Sequence, residues 1–169
     1  MKQIFSIMLR AGKLDPSVFE EVRIRPEAMS QAVAVIIIAS IAAGFGSMGS
    51  VGIQGIFTGT LRAMVSWLIW AYTAYIISSR IMPGSKKWSG FTELLRTMGI
   101  STAPGVIRVI GIITPLYGLI YFAANIWMIA CMTVAMKQTQ EYPTVWKAAE
   151  ICIFSWLVSF VLTGLIRAI

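Results

Sequence analysis

From Ser30 to Met48 the chain runs for 19 residues without a Lys, Arg, Asp or Glu. As a helix this run is about 28 Å long, close to the roughly 30 Å hydrocarbon core of a bilayer. A helix satisfies its own backbone polar groups, so such a run is stable in lipid without further partners. Comparable stretches recur, and they predict membrane spans at 30–48, 62–79, 94–113, 116–136 and 148–166. The fold class read from them is all-α: a polytopic integral membrane bundle of five transmembrane helices, residues 30–169, behind an N-terminal amphipathic interfacial segment, residues 1–29.

The mean hydropathy of +0.78 and a charged fraction of only 12% fit this class and not a soluble domain. A net charge of +7 raises the question of nucleic acid, but the basic residues are dispersed and no run exceeds Lys86-Lys87. They read as orientation signals, and no nucleic-acid partner is expected. The chain has no histidine, and Cys131 and Cys152 both fall inside apolar runs. No cofactor or metal site is therefore expected, and both thiols are expected reduced and buried near the cytoplasmic side.

In the N-terminal segment, Ile4, Phe5, Met8 and Leu9 stand at helical spacing among Lys2, Arg10 and Lys13, as in a helix lying along the bilayer surface. The apolar core Ile4–Leu9 is too short for a signal peptide, so the segment is expected to be retained. Asp15-Pro16 is a cap and first-turn pair for a second short helix through Val18, Phe19 and Val22, ended by Pro26.

Basic residues alternate between connections. Lys2, Arg10, Lys13, Arg23 and Arg25 precede the first span, Arg80, Lys86 and Lys87 follow the second, and Lys137 and Lys147 lie between the fourth and fifth. The connections 49–61 and 114–115 have none. Lys and Arg collect on the cytoplasmic side, so this reading gives a multi-pass protein of the cell (inner) membrane with its N-terminus cytoplasmic and its C-terminus external.

The third span is the least regular, since it holds Arg96, Pro104 and Arg108. Its Gly99, Gly105 and Gly111 allow close helix approach, which fits a span shielded from lipid by its neighbours. Gly44-Phe45-Gly46-Ser47-Met48-Gly49 matches a dinucleotide fingerprint, but that motif works as a turn from strand into helix, and here it ends a membrane helix. Gly55-x-x-x-Gly59 is a small-residue packing motif that serves either internal packing or self-association.

Arg62 and Arg108 both come out near the external surface. Within a span an ionisable side chain needs a partner, a cavity or headgroups. Two arrangements meet that need: snorkelling to lipid phosphate, or a shared site for an anionic lipid or ligand where the second span begins and the third ends. On the cytoplasmic side, Glu93 and Arg96 are three residues apart and Glu150 stands just inside the fifth span, so an ion cluster of the three is expected. Asn125 is read as interhelical glue. No nucleophile has a base beside it, so the chain is not expected to be an enzyme.

The arrangement resembles the Yip1 family of five-span membrane proteins, in its short prokaryotic-type members. The resemblance rests on Phe19-Glu20-Glu21-Val22-Arg23-Ile24-Arg25-Pro26 before the first span and on Phe91-Thr92-Glu93-Leu94-Leu95-Arg96-Thr97-Met98-Gly99 leading to Ala103-Pro104. It continues through the aromatic-rich fourth span around Trp127, the polar stretch Lys137 to Pro143, and Lys147-Ala148-Ala149. It implies five helices, a cytoplasmic N-terminus and an external C-terminus. Eukaryotic members are associated with vesicle trafficking and Rab GTPases, but the Asp-Leu-Tyr-Gly-Pro signature of those members is missing here. Pro115-Leu116-Tyr117-Gly118 is only a partial echo, and the Rab-related role does not carry over.

The function expected is therefore a non-enzymatic Yip1-type protein that organises membrane or partner proteins and binds anionic lipid. Its partners would be membrane lipids, with a homo-oligomer or other membrane proteins. The rival is a small transporter or channel acting as a homo-oligomer, suggested by the interrupted third span and the intramembrane arginines.

Overall fold

The computed structural model describes residues 2–84 and 90–168, so Lys86 and Lys87 of the second connection lie outside the described residues. All regular structure among the described residues is helical: α1 (Lys2–Gly12), α2 (Pro16–Ile24), α3 (Ala28–Val51), α4 (Gln54–Ile76), α5 (Phe91–Ile100), α6 (Tyr117–Gln140) and α7 (Val145–Ala168). One π-helical turn, Ile77–Ile81, extends α4, and a 3₁₀ segment, Ala103–Ile112, follows α5.

Three of these helices are long and apolar enough to cross a membrane: Ala28–Val51, Tyr117–Gln140 and Val145–Leu165. The other two expected spans differ from a plain apolar helix, for different reasons. α4 is 23 residues long but carries Arg62 and a run of Gly, Ser and Thr that lowers its hydropathy. The third is broken after Ile100, where Ser101 and Thr102 turn their hydroxyls back onto the carbonyls of Met98 and Gly99, each at 2.7 Å. Pro104 then supplies no backbone N–H, and the chain continues with tighter winding.

A 3₁₀ helix stacks every third residue, and the burial follows that period: Thr102, Gly105, Arg108 and Gly111 face inward, while Val109, Ile110, Ile112 and Ile113 are exposed. The tight winding thus places Arg108 between two glycines on the inner face.

Interhelical contacts fix the directions. Gly44 of α3 lies against Thr60 of α4 while Ser47 lies against Gly55, so the two run antiparallel. Along the broken third segment, Gly99 meets Ala32 and Ile36, Gly105 meets Ala39, and Gly111 meets Gly46, so it runs parallel to α3. α6 returns, with Thr139 bonded to Thr97 at 2.9 Å and Met128 beside Gly105. α7 runs against α4, through Ser159 Oγ donating to the Ser66 carbonyl at 2.9 Å and Trp70 Nε1 donating to the Cys152 carbonyl at 3.1 Å.

Glycines make these approaches possible. A Cβ on Gly46 would collide with the Arg108 carbonyl oxygen, and one on Gly59 with the Ser47 hydroxyl. Ser47 Oγ donates to the carbonyl of Gly55 at 2.7 Å. Both glycine motifs in the sequence therefore serve packing inside one chain, where small residues substitute for the hydrophobic drive that lipid removes.

The outside of the bundle is large and apolar. Phe57 and Leu61 on α4, Leu119 and Phe122 on α6, and Phe154 and Leu157 on α7 are all exposed at helical spacing, while the interior mixes Ala, Ser, Thr and Met with a few large side chains such as Trp70 and Leu94. In water such a surface would be an aggregation liability, whereas in lipid it is the expected exterior.

The N-terminal hairpin differs from an isolated surface segment. Asp15 Oδ1 caps α2 by accepting from the Ser17 amide at 2.9 Å, and Val18, Phe19 and Val22 are buried. With Ile7 and Ala11 they pack on Val35, Ile100, Ala103, Cys131 and Ala135. Trp127 Nε1 donates to the Gly12 carbonyl at 2.8 Å, and Cys131 Sγ to that of Ala11 at 3.2 Å. The amphipathic face of α1 is spent partly on the bundle, while Phe5 and Leu9 remain exposed. Cys131 and Cys152 are both free and buried, but in different apolar clusters.

Candidate functional site

Arg108 is turned into the bundle and only 7% exposed, which is the opposite of snorkelling. Its Nη2 donates to Asn125 Oδ1 at 3.0 Å, and its guanidinium carbon lies 4.7 Å from the centre of the Tyr121 ring. Asn125 is held in turn, since its Nδ2 donates to the Tyr121 carbonyl at 2.7 Å. Tyr117, Tyr121 and Asn125 are spaced four apart on α6, so they form one stripe facing the inner face of the 3₁₀ segment. A guanidinium over an aromatic face and against an amide oxygen is well oriented, but neither group carries formal negative charge.

Two buried N–H donors near this point have no partner: Arg108 Nε and Trp67 Nε1. Both residues line a cavity of about 20 Å³, together with Ile36, Ala39, Ser40, Ala63, Thr102 and Met128. That is room for one water-sized particle.

Arg62 lies on α4, eight residues after its first residue, Gln54. The helix begins well before the expected start at 62, because the connection expected over 49–61 is mostly helical and shrinks to a turn at Gly52, whose φ of 77° only glycine adopts freely. Arg62 is thus about 12 Å from the end of the helix, half-buried, and within electrostatic range of Arg108. The structure brings the two arginines to the same end of the bundle, with one facing inward.

Of the residues of the expected cytoplasmic ion cluster, Glu93 and Arg96 sit on α5 and Glu150 on α7. Arg96 is buried, and its Nη2 donates to the backbone carbonyl of Arg23 at 2.7 Å, which ties α5 to the end of α2. Glu150 stands in the wall of a separate apolar groove of about 570 Å³ between the end of α4 and α7, with Ile77, Ile81, Ile151 and Phe154. Glu93 is on the first turn of α5.

The N-terminal hairpin carries ion pairs of its own. Arg10 bridges Asp15 at 3.0 Å and Glu21 at 2.9 Å, Glu21 also pairs with Arg25 at 2.9 Å, and Arg23 joins Glu20 to Glu141 beyond the end of α6. Hydrogen bonds from Ser17 and Arg10 hold the Asp15 carboxyl below the ordinary aspartate range. The carboxylates of Glu21 and Asp15 push Arg10 upward, while burial opposes them. Glu20 and Glu141 likewise raise Arg23 against the opposing effect of its burial. Sequence reasoning missed this clasp because Arg10 and Glu21 are 11 residues apart, and they meet only when Leu14, at φ 60°, folds α2 back on α1. In the connection between α6 and α7, Tyr142 donates to the Met82 carbonyl at 2.6 Å, and burial pushes its phenol up to about 12.

Among the described residues no group of His, Cys, Asp and Glu is arranged to hold a metal ion. Long apolar helices with small or hydroxylated interiors and bulky apolar exteriors define an integral membrane helical bundle. The sequence model of the Yip1 domain matches residues 14–166, nearly the whole chain, and the protein belongs to the Yip1 family. Comparison with curated proteins and with solved structures gives no match.

Proposed function

We propose that the protein is a non-enzymatic, five-span Yip1-type protein that organises membrane or partner proteins and holds an anionic lipid headgroup at Arg62, with its N-terminus cytoplasmic. The observation that carries this reading is the segregation of charge. All seven acidic residues, Asp15, Glu20, Glu21, Glu27, Glu93, Glu141 and Glu150, fall in the N-terminal hairpin or at the end of the bundle where α3, α5 and α7 begin. Arg62 and Arg108 stand towards the opposite end, away from every Asp and Glu side chain. A phosphate headgroup is the counter-charge that a membrane supplies there, and the half-buried Arg62 can reach it along the apolar stem of its side chain.

The five helical segments alternate in direction, which suits five crossings, with the broken third segment closed between α3 and α6. That closure weighs against the transporter reading, because the break is filled by Gly99 on Ala32 and by Gly105 on Met128 and Ala39. The cavity nearby has room for about one water.

The test is native mass spectrometry of the protein extracted from membranes. Retained anionic lipid that is lost in Arg62→Ala supports the site, and equal retention removes it. Reconstituted liposomes should show no ion or solute flux; a flux abolished by Arg108→Ala would replace this reading with the transporter one.

A further inference from the structure

Beyond any lipid at Arg62, we propose that the cavity beside Arg108 is a binding site for one small inorganic anion of chloride or bromide size. Arg108 is a buried cation whose described partners, Asn125 and the Tyr121 ring, are neutral, and Arg62 adds a second positive charge within range. An uncompensated charge in the interior of a membrane bundle is costly unless something negative accompanies it. Every Asp and Glu side chain is placed in the hairpin or at the other end.

The cavity wall fits an anion in three respects. It contains Arg108 and Trp67, whose Nε and Nε1 hydrogens are buried and unpartnered, and both groups can only donate. Ser40, buried in the same wall, adds a hydroxyl that can turn to donate. The volume of about 20 Å³ admits a monoatomic ion or one water and excludes a lipid phosphate or a carboxylate ligand. Water would leave the charge of Arg108 standing, whereas a halide offsets it.

The 3₁₀ winding brings two of the cavity's polar residues together. Winding every third residue inward sets Thr102 and Arg108 on one face, and both line the cavity. The bound ion would act as a structural counter-charge that locks this segment between α3, α4 and α6.

The experiment compares thermal unfolding of the purified protein in sodium chloride, sodium bromide and sodium gluconate at equal ionic strength. Gluconate is too large for the cavity. At tenfold excess over the dissociation constant, each halide should raise the midpoint by about 4 °C relative to gluconate. The rise should shrink in Ser40→Ala and in Trp67→Phe, which remove one donor each. Equal midpoints in all three salts overturn the proposal. Crystals of the unmodified protein grown in bromide give an answer independent of any variant: an anomalous peak between Arg108, Trp67 and Ser40 supports the site, and a cavity without one leaves only water and overturns it.

Discussion

Asn125 on α6 accepts a hydrogen bond from the Nη2 of Arg108 at 3.0 Å, and this bond fixes where the buried cation of the 3₁₀ segment points. Removing the acceptor strands a buried charged donor. Asn125→Ala should therefore destabilise the bundle by about 2 kcal/mol, above the cost of an ordinary hydrogen bond. Asn125→Asp, which puts a carboxylate against the guanidinium, should be the more stable of the two. Thermal unfolding in detergent reads the difference, and an Ala variant as stable as the parent would mean that the bond carries no load.

Gly46 tests the packing of α3 on the 3₁₀ segment. A methyl group there would meet the Arg108 carbonyl oxygen, which is backbone and cannot swing aside. Gly46→Ala should cost about 1–3 kcal/mol by forcing the segments apart. Gly118 on α6 is the control, since nothing lies within 4 Å of a Cβ there. Gly118→Ala should be neutral or stabilise by up to about 1 kcal/mol, because alanine has less unfolded-state freedom to lose. Similar effects for both variants in an unfolding assay would contradict the close approach at Gly46.

What the sequence made readable was whatever repeats locally. The charge-free runs located α3, α6 and α7 within a few residues, because apolar length is a property of a segment by itself. The start of α4 was obscured, since Gly55, Thr58, Gly59 and Thr60 read as a loop until Ser47 and Gly44 are placed against them. Arg62 and Arg108 stood out as charges within spans, yet the inward turn of Arg108 depends on Asn125, 17 residues away and on another helix. The 3₁₀ winding left a trace in the sequence, in the spacing of Gly105, Arg108 and Gly111, but the same residues also suit an α-helix. The N-terminal clasp was illegible because its pairs depend on the fold of the hairpin.

Acid should loosen that hairpin. Asp15 titrates below its ordinary value in the folded chain, so its contribution is fully present above the unfolded value and is lost as pH falls through the lower folded one. Docking of α1 and α2 should thus be unchanged between about pH 7 and pH 5 and should weaken below about pH 4. Limited proteolysis around Lys13 with an acid-active protease measures it. Asp15→Asn should show increased cleavage already at pH 5 and a smaller further change on acidification.

Alkali should act at the connection between α6 and α7, through Tyr142. Its phenol is raised to about 12 by burial and donates to the Met82 carbonyl at 2.6 Å. The folded state therefore favours the protonated form: this contribution is intact below the unfolded value near 10 and disappears as pH rises towards 12. Absorbance at the phenolate band should show a late-titrating phase, and Tyr142→Phe should remove it. The same variant loses a buried hydrogen bond and should be less stable at neutral pH by about 1 kcal/mol. A Tyr142 that titrates near the ordinary value of 10 would mean that the connection between α6 and α7 is not docked against the end of α4.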